Sequence, residues 1–155
     1  MRRWSTRFLQ VVTVFVGIGV AALLLWEPHV EGRNAHATLA QIYLHDPFLA
    51  YVYVGSIPLF VALYEAFRIL GWLGSPQGAF SDRAVRAARM IRICATVTIG
   101  LIVVGGVILM FVGDERRPAA FMCLLATLAF LVIGASAAAF ERLLERGVEL
   151  KAQTD

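Results

Sequence analysis

The sequence predicts an all-α integral membrane protein, a four-helix bundle with both termini in the cytoplasm. Three observations carry that reading. First, 59% of the 155 residues are hydrophobic and the mean hydropathy is +0.74. A water-soluble domain of this length has too little interior to hide so much apolar side chain. Second, the apolar residues fall into four runs, 8–26, 48–72, 93–112 and 118–140. At about 1.5 Å per residue each can cross a hydrocarbon layer of roughly 30 Å. Third, the basic residues are lopsided. Four spans put both termini on one side, with Arg2, Arg3, Arg7, Arg68, Arg83, Arg86, Arg89, Arg92, Arg142, Arg146 and Lys151. The other side holds Arg33, Arg116 and Arg117. An excess of that size marks the cytoplasmic side.

The first span follows an arginine-bearing start. A secretory signal is the rival reading, because Ala35-His-Ala37 mimics a cleavage site. The apolar run is longer than a signal core of about 7–15 residues and the small-residue site lies too far beyond it, so 8–26 reads as a membrane span. Gly17 and Gly19 suit close approach of a neighbouring helix. The loop 27–47 contains all three histidines, His29, His36 and His45. Asn34 suits the start of a short extracytoplasmic helix over about 35–44, with Leu39, Ile42 and Tyr43 on one face. The histidine spacings match no tight ligand motif, so no metal is expected.

In the second span, Tyr51 and Tyr53 stand near one interface and Trp72 near the other, as an aromatic belt requires. Pro58 is expected to kink it, with Ser56 placed to satisfy a freed backbone group. Glu65 is the one acid inside any span. An unpaired carboxylate near hydrocarbon is costly, so an ion pair with Arg68, one turn on, is expected. Arg89 or Arg92 of the third span are further candidates. Gly71, Gly74, Ser75, Pro76 and Gly78 then end the helix.

Residues 81–92 read as an amphipathic basic helix that runs on into the third span. Ser81 is its N-cap, Asp82 sits at the positive helix end, and Phe80 is placed to staple onto Val85. Ala84, Val85, Ala88 and Ile91 form an apolar stripe flanked by Arg83, Arg86, Arg89 and Arg92. These four arginines are the candidate lipid- or partner-binding residues. Gly113 suits a helix C-cap, and Pro118 is expected to open the fourth span at its first helical position. Gly134 and Ala138, four residues apart, are the candidate helix-packing positions. The remainder, 141–155, reads as a charged amphipathic tail that frays beyond Gly147. Cys94 and Cys123 fall at opposite ends of adjacent spans, too far apart for a disulfide.

Chemistry is weighed against this layout. No Gly-x-Ser-x-Gly or His-Glu-x-x-His pattern is present and the histidines share one loop, so no catalytic residue is assigned and an enzyme is not expected. A carrier needs ionisable groups at mid-membrane, and three of the four spans have none. A voltage sensor also repeats arginine every third residue. Here the repeat steps 300° each time and spirals round the helix, and the residues between are mostly alanine. Of the 14 basic residues 13 are arginine, whose forked guanidinium suits phosphate headgroups. The same preference follows from a GC-rich genome.

The run Ser56-Ile-Pro-Leu-Phe-Val-Ala-Leu-Tyr-Glu-Ala-Phe67, with Ala79-Phe-Ser81, Ala84-Val-Arg-Ala87 and Ile91-Arg-Ile-Cys-Ala95, resembles a bacterial family of small membrane proteins, the domain of unknown function 2975. In layout the resemblance covers nearly the whole chain; in motif it is specific to the second and third spans. Members often carry Lys where this chain has Arg92, which keeps the charge. The resemblance implies a single four-span domain over 1–155 in the bacterial inner (cell) membrane. It also implies a small helix-turn-helix regulator as partner, and it carries over no active site. The expected function is that of an interaction or regulatory protein acting through its basic cytoplasmic face. Its expected partners are the bilayer, through anionic headgroups, and a second copy of the chain, with no cofactor and no direct nucleic-acid binding. The alternative is a small oligomeric channel or transporter.

Overall fold

The computed structural model describes residues 2–30, 38, 47–74, 80–112 and 116–154. Four helices account for nearly all of them: α1 (Arg2–Val30), α2 (Pro47–Leu73), α3 (Asp82–Val112) and α4 (Arg116–Thr154). All four are long and apolar enough to cross a membrane. Each packs mainly on its neighbours in the chain, and each of these neighbouring pairs runs antiparallel. Gly17 faces Leu63 between α1 and α2, Tyr51 reaches Leu101 between α2 and α3, and Gly134 faces Ala95 between α3 and α4. The chain therefore goes up, down, up and down, and both ends finish together. Of the short loop helix expected near 35–44 only Thr38 is described, and it is not helical; the rest of that helix and the cap expected at Gly113 lie outside the described residues.

Helix lengths differ from expectation in an instructive way. α4 begins at Arg116, two residues before Pro118, and continues unbroken to Thr154 for 39 residues. Pro118 still falls in the first turn, where no intrahelical partner needs its absent N–H. Gly147 does not end the helix. Ring atoms of Phe80 occupy the place where its Cβ would stand, so glycine is what that close approach requires. Phe80 thus lies on α4 rather than only stapling its own helix. At about 1.5 Å per residue α4 is close to 58 Å long and the 31-residue α3 close to 46 Å. Both exceed the hydrocarbon thickness, and their excess lies at the end that carries both termini.

The best-buried cluster also lies at that end. Ile69 of α2, Ala84, Ala87 and Ala88 of α3 and Leu144 of α4 are almost inaccessible, with Trp72, Ile91 and Phe140 packed around them. Lipid is as apolar as leucine, so within the bilayer helices associate through small side chains and polar contacts. Beyond it the ordinary hydrophobic drive returns. The alanine stripe of α3 therefore meets protein, sandwiched between α2 and α4, instead of lying flat against headgroups. Along most of their length the helices turn large apolar side chains outward, among them Phe8, Phe15, Val104 and Leu128, as lipid-facing surfaces do.

Polar groups in the spans are spent on backbone. Pro28 offers no N–H to the carbonyl of Leu24, and the Tyr53 hydroxyl donates to that carbonyl at 2.9 Å. Tyr51 donates to the Leu101 carbonyl at 2.5 Å, passing over Gly105, where a Cβ would lie 2.8 Å from the ring. Both tyrosines expected in an aromatic belt thus tie helices together. Ser56 donates to the carbonyl of Tyr53 at 2.7 Å, one residue before the Val54 carbonyl that Pro58 leaves without its usual donor. Cys94 and Cys123 are free thiols. Cys123 abuts Gly106, twelve residues and about 18 Å of helix beyond Cys94.

Candidate functional site at the basic end

Ser81 starts the helix that positions the site. Its carbonyl accepts from the N–H of Ala84 at 2.9 Å and its hydroxyl from the same group at 3.4 Å, which satisfies donors that open every helix. From there the arginines appear every third residue. Each step falls 60° short of a full circle, so the row winds round α3. Arg83 and Arg86 emerge on the side of α2, and Arg89 and Arg92 on the side of α4.

On the α4 side the arginines are committed. Arg89 Nε donates to Glu141 Oε1 at 2.7 Å and its Nη2 to Glu145 Oε1 at 3.0 Å. Arg92 Nη1 stands 3.4 Å from Glu141 Oε2. That last contact supplies charge without hydrogen-bond alignment, because Oε2 is buried without a hydrogen-bond partner. Glu141 is 4% exposed. Its carboxylate is tolerated there because two guanidiniums compensate it.

On the α2 side a cavity of about 250 Å³ opens between the helices, lined by Glu65, Arg68, Trp72, Arg83, Arg86 and Met90, with Ala87 at its floor. The Glu65–Arg68 pair is present: Arg68 Nη1 donates to both carboxylate oxygens, at 3.0 and 3.3 Å. The same guanidinium lies 4.9 Å from the Trp72 ring and 5.6 Å from that of Tyr64, a cation–π placement that fixes its plane. Among the described residues neither Arg83 nor Arg86 has an ion-pair partner. Three guanidiniums against one carboxylate leave this cavity with two positive charges in excess.

The packing positions divide as well. A Cβ on Gly134 would meet that of Ala95 at 3.5 Å, so this glycine lies at the α3–α4 contact. Ala138 is half-buried, whereas Ala137 is the buried alanine. The inward stripe of α4 is Gly134, Ala137, Glu141 and Leu144, spaced by three, four and three residues. It is the seam of two helices that stay together past the bilayer.

Against known proteins, the family model described as "Protein of unknown function (DUF2975)" matches residues 32–155. The chain belongs to this family. A relative, the uncharacterized membrane protein YoaS of Bacillus subtilis (strain 168), is 33% identical over 159 residues. That alignment spans 100% of this chain and 98% of the relative. No solved structure matches the chain. The membrane-protein relative and four helices long and apolar enough to cross a bilayer together make this a membrane protein with four candidate spans.

Glu141 and Glu145 are the ion-pair partners of Arg89 and Arg92 that a reading of the sequence by segments overlooks. The contacts Gly106–Cys123, Ala95–Gly134 and Arg89–Glu141 are all centred close to one point of the sequence, between residues 114 and 115. That common centre fixes one antiparallel register along the whole α3–α4 contact. Gln10 is a second omission. Its amide donates to the Phe67 carbonyl at 3.2 Å and ties α1 to α2.

Proposed function

We propose that this protein is an interaction or regulatory protein of the bacterial cell membrane, working from a folded basic platform on the cytoplasmic side. The observation that carries the reading is that the buried cluster of α2, α3 and α4 sits at the arginine-rich end, where α3 and α4 are longer than a span needs. A helix that only anchors needs no such extension. A packed extension presents a fixed surface. On its outer side Arg142 and Arg146 stand exposed beside Leu143 and Leu150, a basic and apolar face suited to an acidic, amphipathic helix of a soluble partner. A regulator of helix-turn-helix type is one such candidate, and a second copy of the chain is another.

A photo-crosslinking amino acid at Leu143 tests this in cells. A discrete adduct, lost when Arg142 and Arg146 become Glu and not formed by the same probe at Val104, is the expected result. No adduct at Leu143, or the same adduct at both positions, would overturn the platform reading. No observation favours a permeation path. The cavity among α2, α3 and α4, about 120 Å³ around Pro58, Ala62, Cys94 and Thr98, is apolar, and the Thr98 hydroxyl is spent on the Cys94 carbonyl at 2.8 Å.

A further inference from the structure

We infer that the cavity between α2 and α3 is a headgroup site for one anionic phospholipid, its phosphoryl group held by Arg83 and Arg86. The argument begins with what the cavity lacks. Arg68 is neutralised by Glu65 at 3.0 Å, and Arg89 and Arg92 are neutralised by Glu141 and Glu145. Arg83 and Arg86 line the same cavity and form no ion pair among the described residues, its one carboxylate, Glu65, being taken by Arg68. Guanidinium forks match phosphate oxygens, and a basic pocket between helices at the cytoplasmic side is the setting in which lipid phosphates are held.

Shape agrees with charge. A volume of about 250 Å³ suits a phosphoglycerol group and is too small for a folded segment. Trp72 and Met90 form apolar parts of the wall, as the glycerol backbone and the start of an acyl chain require. Deeper along the same faces, α2 exposes Val61, Ile57 and Val54, and α3 exposes Ile93, Val97 and Val104. At steps of three, four and seven residues these residues continue the two walls toward the opposite end. An acyl chain leaving the cavity has an apolar track to follow. α1 packs on a different side of α2, through Leu63, Phe67 and Gly71, and leaves the track open. The excess of two positive charges favours a headgroup of net negative charge over a zwitterion. Glu65 repels a second anion and keeps the phosphate on the α3 side.

The site is independent of whatever docks on Arg142 and Arg146, so its test separates the two. The full-length chain, delipidated in mild detergent, is titrated with phosphatidylglycerol and with phosphatidylcholine, and bound lipid is counted by native mass spectrometry. One phosphatidylglycerol per chain is expected, bound about tenfold or more tightly than phosphatidylcholine, as charge-assisted contacts imply. Changing Arg83 and Arg86 together to Gln should abolish that preference. Changing Arg142 and Arg146 to Gln, the same loss of charge outside the cavity, should not. Lysine at 83 and 86 keeps the charge without the fork and should retain part of the preference, which also shows that the chain still folds. Equal losses in the two Gln pairs would mean diffuse attraction and would overturn the site. Displacement of the lipid by equimolar glycerol phosphate would overturn the lipid as its source.

Discussion

Glu141 shows how much a single burial decision matters. Its side chain is 5% exposed while that of Glu145 is 42% exposed, yet both pair with Arg89. The two should therefore differ in worth. Glu145→Ala removes a solvent-screened pair and is expected to cost less than about 1 kcal/mol. Glu141→Ala empties a buried position and leaves Arg89 and Arg92 uncompensated. Because both arginines are half-exposed and can turn to water, the expected loss is about 2 kcal/mol, below the usual figure for a broken buried pair. Thermal melts in detergent would rank them, and equal losses would mean that Glu141 is not the buried anchor described. Gly147 offers a second test. Alanine gains about 1 kcal/mol over glycine in a helix interior, but here its Cβ collides with the Phe80 ring. Gly147→Ala should be stabilising only in a Phe80→Ala background, and the same gain in both backgrounds would refute the contact. Neither effect is visible in a segment-by-segment reading. Such a reading sees a charged tail and a loop phenylalanine, since the contacts at 141 and 147 are made with Arg89 and Phe80, far away in the sequence.

At the scale of the helices, what the sequence made legible was hydrophobic length. Runs of 19 residues or more, bounded by arginine, glycine and proline, mark spans because the bilayer sets a length that few other structures need. Ser81 as a cap was legible for a similar reason, since capping is a local bargain between one side chain and the first free N–H groups. The ends of α1 and α4 were less so. Pro28 and Gly147 are breakers by propensity, and tertiary contacts override both: Tyr53 replaces the lost donor at Leu24, and Phe80 fills the gap at Gly147. The extension of α4 is accordingly a folded part of the protein. Removing residues 141–154 would uncover Ile69, Ala84 and Ala88. A clear drop in melting temperature with the four spans still helical by circular dichroism is expected, and an unchanged melt would show that the extension only rides on the bundle. Gly134 permits a graded test of the same seam. Alanine there places a methyl at an ordinary 3.5 Å from Ala95 and should be accepted, whereas Gly134→Leu should force α3 and α4 apart.

For the whole molecule the decisive quantity is the sidedness of charge. The antiparallel order of α1 to α4 places both termini at one end by geometry alone. The end that holds Arg68, Arg83, Arg86, Arg89, Arg92, Arg142 and Arg146 is that same end. Arg68, Arg89 and Arg92 are held in ion pairs there, so the number of arginines at this end reflects more than topogenesis. Even so, translocating them would require moving guanidiniums across hydrocarbon at about 2.5–3.5 kcal/mol each on the insertion scale. The expected orientation has this end in the cytoplasm and the loop after α1 outside. Substituted-cysteine labelling decides it. In a background with Cys94→Ala and Cys123→Ser, a cysteine at Asn34 should react with a membrane-impermeant maleimide on intact protoplasts. A cysteine at Gln153 should react only after lysis. The reverse pattern would put the basic platform and the headgroup cavity on the outer face, away from any cytoplasmic partner. Labelling at both positions without lysis would contradict the four-span path itself.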